Sequence, residues 1–221
     1  MRVRLALLLW LATALTFALC TGAGAATVTV GSPLTAVFGG VFGSAPSGTW
    51  VNAVLPEPGA NVSSPVSGNV VRWRLAGNHN DGPFKLRVLH PDGTGKYTPV
   101  ATSDQVTPTA GPKTFDTTLP IQAGDVVALD VITGSNIGVS AVPGANLLNW
   151  TPSLADGATE APDYTDYDGL ELGFNADVEY TPPTPAGPTT TVKKKCKKHK
   201  KKNKRSAESA KKKCKKKKKK R

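Results

Sequence analysis

Eleven consecutive residues, Leu170-Glu-Leu-Gly-Phe-Asn-Ala-Asp-Val-Glu-Tyr180, alternate without a break. Leu170, Leu172, Phe174, Ala176, Val178 and Tyr180 fall on one side of an extended chain. Glu171, Gly173, Asn175, Asp177 and Glu179 fall on the other. A period of two belongs to a strand with one covered face; wound into a helix, the same apolar residues would scatter round the axis. The segment predicts a half-buried strand whose acidic face is wet.

The same reading extends upstream. Asn69–Leu75 predicts a strand with Val71, Trp73 and Leu75 against Val70, Arg72 and Arg74. Phe84–His90 sets Phe84, Leu86, Val88 and His90 opposite Lys85, Arg87 and Leu89. Asp125–Ile132 is nearly all apolar, which predicts a central strand covered on both faces. Shorter candidates are Val28–Val30, Trp50–Leu55, Tyr97–Val106, Lys113–Leu119, Ile137–Val142 and Leu147–Trp150. Turn signals separate them, among them Pro58-Gly59, Pro91-Asp92-Gly93, Gly111-Pro112 and Pro143-Gly144. No long window between Thr27 and Val192 carries apolar residues at helical spacing. Many short strands joined by turns predict an all-β fold, an antiparallel β-sandwich of jelly-roll-like type.

Charge divides the chain. The formal net charge is +12. Residues 193–221 alone carry +19, from 18 Lys, 2 Arg and 1 Glu. Between Thr27 and Val192, 15 acidic residues face 6 basic ones, a net −9. An acidic body on a cationic tail excludes a basic nucleic-acid-binding fold. Like charges this dense repel, so the tail is expected to be disordered. Thr181–Val192 is rich in Pro and Thr and predicts a stiff, extended linker.

The other end has the pattern of an export signal. Met1–Arg4 is positive, Leu5–Leu19 is a 15-residue apolar run, and Ala23-Gly24-Ala25 is a small-x-small cleavage site. The run is short of the roughly 20 residues that a membrane span needs. Cys20 follows Leu19 directly, where a lipidation signal would have a small residue. The expected organisation is a cleaved signal peptide (1–26), a β-sandwich domain (27–181), a Pro/Thr linker (182–192) and a polybasic tail (193–221), in a protein that is secreted or cell-surface associated, with no transmembrane span after cleavage.

Signals for catalysis are sparse. His90 lies in a His-Pro-Asp-Gly turn and His79 in a polar loop. There is no Gly-x-Ser-x-Gly elbow and no His-Glu-x-x-His. Gly93-Thr-Gly-Lys96 lacks the first glycine and the final Ser/Thr of a phosphate loop. A non-enzyme is expected.

Three groups of residues are candidates for binding. Asp163, Asp166 and Asp168 crowd one loop, as a calcium ion requires, although the spacing does not fit the helix–loop–helix calcium motif. No other cofactor is expected. Trp50 and Trp150 lie near loops, and with Tyr164 and Tyr167 they are the candidate aromatic faces for a sugar; Trp73 follows the apolar phase of its strand and is expected in the core. Cys196 and Cys214 sit among lysines that favour the thiolate. They are either solvated thiols or the partners of a disulfide, within one chain or between chains.

Asn69-Val-Val-Arg-Trp-Arg-Leu75, Phe84-Lys-Leu-Arg-Val-Leu89, Leu119-Pro-Ile-Gln-Ala-Gly-Asp-Val-Val-Ala-Leu-Asp130, Trp150-Thr-Pro and Leu172-Gly-Phe-Asn-Ala-Asp-Val178 resemble a family of exported β-sandwich proteins of high-GC soil bacteria. Several of its members end in Lys/Cys/His tails. The resemblance implies export and a sandwich fold but brings neither an activity nor site residues. Ala123-Gly-Asp-Val-Val127 also looks like jelly-roll carbohydrate-binding modules.

Three functional expectations follow. The first is a non-enzymatic binding or structural module held at the cell surface by a tail that adsorbs to anionic wall polymers or acidic glycans, without sequence-specific nucleic-acid binding. The second is a carbohydrate-binding module, and the third a secreted hydrolase.

Overall fold

The structure is a computed structural model that describes residues 24–183 apart from 46, 78–81, 110 and 134. The expected signal through residue 23, His79, most of the linker, and the tail with Cys196 and Cys214 lie outside the described residues. Among the described residues there are twelve strands and no helix.

The strands, in chain order, are β1 (Ala26–Gly31), β2 (Gly40–Ala45), β3 (Gly48–Val54), β4 (Gly68–Leu75), β5 (Phe84–Pro91), β6 (Tyr97–Thr102), β7 (Lys113–Ile121), β8 (Val126–Val131), β9 (Ser135–Ala141), β10 (Asn146–Trp150), β11 (Leu170–Leu172) and β12 (Phe174–Tyr180). All pairings between them are antiparallel. Three sheets result, in the orders β1-β12-β4-β7, β10-β3-β8-β5-β6 and β11-β9-β2. Side chains from all three meet in one core: Val30, Trp73 and Phe174 from the first, Trp50, Leu86 and Leu129 from the second, Ile137 and Leu172 from the third. This is an antiparallel all-β body consistent with a β-sandwich.

The central strand is where the sequence places it. Every residue of β8 is buried, and β8 runs between β3 and β5. Its second face is covered by the long segment between β10 and β11. Leu154 from that segment packs on Val51, Leu89, Val126, Ala128 and Trp150 in a smaller cluster. Each large apolar side chain sealed in this way contributes ~2 kcal/mol through the area it removes from water.

Three expectations need correction. The alternating run from Leu170 to Tyr180 is two strands, β11 and β12, in different sheets. The break is at Gly173, whose N–H donates to Gly138 O at 3.0 Å and whose carbonyl accepts from Ala76 N at 2.7 Å. A Cβ there would lie 2.8 Å from Ala76 O and 2.9 Å from Phe38 Cγ, so only glycine lets the strand change sheets under the Phe38 ring. Nor is the acidic face wet: Glu171, Asn175 and Asp177 are 0%, 4% and 3% exposed. Lastly, Val70 rather than Val71 joins Trp73 and Leu75 in the core. The pairing of β4 with β12 shifts between Asp177 and Val178, leaving Val71 as an extra residue that reverses the phase. Strand β2, rich in glycine, carries no alternation and is not foreseen in the sequence.

Candidate functional site

Polar chemistry in the body falls into four places, each set by how strands meet. The first is the side of the four-stranded sheet turned away from the core. There Asp177, on β12, stands between β1 and β4. It accepts Arg72 Nε at 2.9 Å and Nη2 at 2.6 Å, Arg74 Nη1 at 2.8 Å and Nη2 at 2.5 Å, and Thr29 Oγ1 at 3.1 Å. Burial alone would raise its pKa, but the hydrogen bonds from Arg74 and Arg72 outweigh this and hold it down at about 2. The same bonds raise Arg74.

The second is the buried Arg87. Its guanidinium meets Asp130 at 3.3 Å, Asp156 and the Leu154 carbonyl, so it ties the segment after β10 to the five-stranded sheet. Thr49 completes the tie, donating to Asp130 at 2.5 Å and accepting from Leu154 N at 3.0 Å. Burial pushes the Asp130 carboxyl up, against Thr49 and Arg87. The third is His90, whose Nδ1 lies 2.7 Å from Oδ1 of the buried Asp125. The other oxygen of Asp125 accepts Gln122 N at 2.8 Å, so the carboxylate is fixed by its own turn. The pair has the form of the orienting half of a nucleophilic triad.

The fourth is a pair of glutamates. Glu171 lies on β11 and Glu57 in the turn Pro56–Ala60 that follows β3. Asn52 fixes β11, accepting from Leu172 N at 2.9 Å and donating to Leu172 O at 3.0 Å. Gly31 N donates to Asn61 O at 2.7 Å, which draws the segment after Glu57 against the end of β1. Burial pushes Glu171 up to about 7, and the adjacent Glu57 carboxylate adds to the rise. The neighbouring Ser32 hydroxyl pulls the other way. Apart from that hydroxyl, neither carboxylate has a hydrogen-bond donor among the described residues.

An open cavity lies elsewhere, between β6 and β7, the adjacent edge strands of the two larger sheets. It is a cleft of about 440 Å³. Thr102, Ser103, Asp104, Asp116, Thr117 and Thr118 line it, with Trp73 and Leu119 contributing apolar surface. Ser103 is structural there, since its Oγ accepts Leu86 N at 2.9 Å and donates to Asp104 O at 2.8 Å. Asp104 and Asp116 are exposed. The lining includes hydroxyls and carboxylates but no basic group. Comparison with family models, curated proteins and solved structures gave no match.

The residues singled out in the sequence are mostly elsewhere. Trp50 and Trp150 are 0% and 1% exposed and present no ring face to a sugar. Trp50 packs against Tyr167 at 5.3 Å, and Trp150 meets Tyr97 edge-on at 5.3 Å. Their indoles lie at strand ends, but the segment after β10 folds back and covers them. Tyr167 is half-buried on Trp50, whereas Tyr164 is 56% exposed and keeps its ring in water. Asp163, Asp166 and Asp168 are exposed and are not gathered into a site: among the described residues no three His, Cys, Asp or Glu side chains are placed to hold a metal. Asp163 instead accepts Thr151 N at 2.7 Å, which ties the start of the segment to a point further along it. The cleft and the glutamate pair were missed because each joins residues far apart in the chain. The one local signal was Glu171, an acid on a strand otherwise destined for the core. No helix among the described residues is long and apolar enough to cross a membrane.

Proposed function

We propose that this chain is an exported, non-enzymatic binding or structural module, a jelly-roll-like sandwich retained at the cell surface by its C-terminal polycation. The observation that carries the reading is the separation of charge: +19 in the last 29 residues against −9 in the span before them. Each lysine near an anionic surface contributes ~1 kcal/mol, within a Debye length of about 8 Å at physiological salt. Six or eight basic groups in contact would hold the protein firmly at low salt, through anionic wall polymers or acidic glycans. The antiparallel body with its sealed core is what such a tail would present. The test is salt elution from intact cells, comparing the full chain with one ending at Thr191. Release of the full chain by high salt, with no retention of the shortened one, supports the reading; equal retention removes the tail from it.

A second reading, carbohydrate binding, is favoured by the cleft between β6 and β7 rather than by the tryptophans. Its hydroxyls and carboxylates suit a neutral or amino-bearing glycan. A glycan array read with the full chain and with a D104A/D116A variant tests it. Binding that the variant loses supports the cleft, and a blank array counts against it.

A further inference from the structure

Glu57 and Glu171 bring four carboxylate oxygens together out of water, and among the described residues only the Ser32 hydroxyl beside Glu171 is near enough to donate to them. Glu171 is 0% exposed. A buried carboxylate without a partner is strongly unfavourable, and a second one beside it makes matters worse. Three things can neutralise such a pair: a basic side chain, a proton or a metal cation. The body's arginines are committed elsewhere, Arg72 and Arg74 to Asp177 and Arg87 to Asp130 and Asp156. No ion pair reaches either glutamate among the described residues. A single shared proton removes one unit of charge and leaves the other buried, with no cation to balance it and only the Ser32 hydroxyl beside it. A divalent cation removes both units and gives those lone pairs a ligand.

The donors are all hard oxygens, which excludes a thiolate- or imidazole-seeking metal. Carboxylates that can bind through one or both oxygens, on a turn and a three-residue strand, suit the irregular six- to eight-oxygen shell of calcium better than the strict octahedron of magnesium. The Ser32 hydroxyl lies beside Glu171 and accepts Leu34 N at 2.9 Å, so it is fixed in place as a further oxygen. We propose that Glu57 and Glu171, with Ser32 beside them, form a calcium-class cation site that closes the seam where the ends of β1 and β3 meet β11. Water would fill the remaining coordination positions.

The experiment uses the full chain in thermal unfolding at pH 7.5, with EDTA and then with calcium or magnesium at matched ionic strength. Calcium at about a hundredfold over its Kd is expected to raise the midpoint by several degrees, and magnesium by less. Titration calorimetry should count one site per chain. E57Q and E171Q, which keep the shape and remove a charge, are expected to fold in EDTA at least as stably as the parent chain and to lose the calcium response. A D163N/D166N/D168N variant should keep it. A parent chain indifferent to calcium, or an E171Q variant that responds as the parent does, would overturn the proposal. Stabilisation of E171Q without any calcium effect on the parent would mean that the pair holds only a proton.

Discussion

Replacing Asp177 by Asn removes the charge on which Arg72 and Arg74 converge. The Asp177 side chain is 4% exposed and accepts four guanidinium hydrogen bonds of 2.9 Å or less. Its pKa falls from 3.8 to about 2. A shift just under two units corresponds to about 2.5 kcal/mol at full strength. Arg72 and Arg74 keep 45% and 29% of their side-chain surface in water, so screening lowers this to about 2 kcal/mol. The folded-state pKa is depressed. The stabilisation is therefore fully present above the ordinary carboxylate range near pH 4 and is lost as pH falls through about 2. Urea unfolding of the parent chain and D177N, run at pH 7, 4, 3 and 2.5, isolates this contribution because other carboxylates titrate alike in both. At pH 7 the variant should be less stable by about 2 kcal/mol, and the gap should narrow steadily below pH 4. A gap that stays constant with pH, or one smaller than about 0.5 kcal/mol at pH 7, would refute an ionic network and leave only shape.

Other consequences are equally direct. G173A forces a Cβ against a backbone oxygen at the point where β11 gives way to β12, and should cost about 1–3 kcal/mol in thermal unfolding. W150A removes a sealed indole and should cost about 3–5 kcal/mol in urea, while leaving any glycan-array profile unchanged. R87A leaves Asp130 buried without its cation and frees the segment after β10. A loss of about 3–5 kcal/mol is expected, with new proteolytic cleavage between Thr151 and Asp163 seen by mass spectrometry.

Strand content was legible in the sequence because burial writes itself locally. Val126–Val131 is apolar on both faces since both faces are covered, and the alternation of Phe84, Leu86 and Val88 survives intact in the core. What the sequence hides is whatever depends on a second segment. The period of Leu170–Tyr180 runs straight through Gly173, because a change of sheet does not disturb which way side chains point. Only the contact with Ala76 and Phe38 reveals the break. Val71 looked inward until the register shift opposite Asp177 and Val178 reversed its phase. Asp177 was read as a wet acid since nothing in its own strand announces Arg72 and Arg74. The pairing of Glu57 with Glu171 joins a turn and a strand more than a hundred residues apart in the chain, so Glu171, an acid on a strand bound for the core, was the one local sign of it. Tryptophans near strand ends suggested exposed rings, yet large aromatic residues close cores more often than they face water.

The salt dependence of adsorption tests the central claim most directly. Binding of the purified full chain to anionic lipid vesicles is measured from low to high NaCl, beside a chain ending at Thr191. If about seven basic groups of the tail contact the surface, log K should fall steeply as log salt rises, because each contact is screened within a Debye length. The shortened chain, net acidic, should bind weakly at every salt concentration. A slope near zero, or equal binding by the two chains, would contradict a body tethered through its polycation.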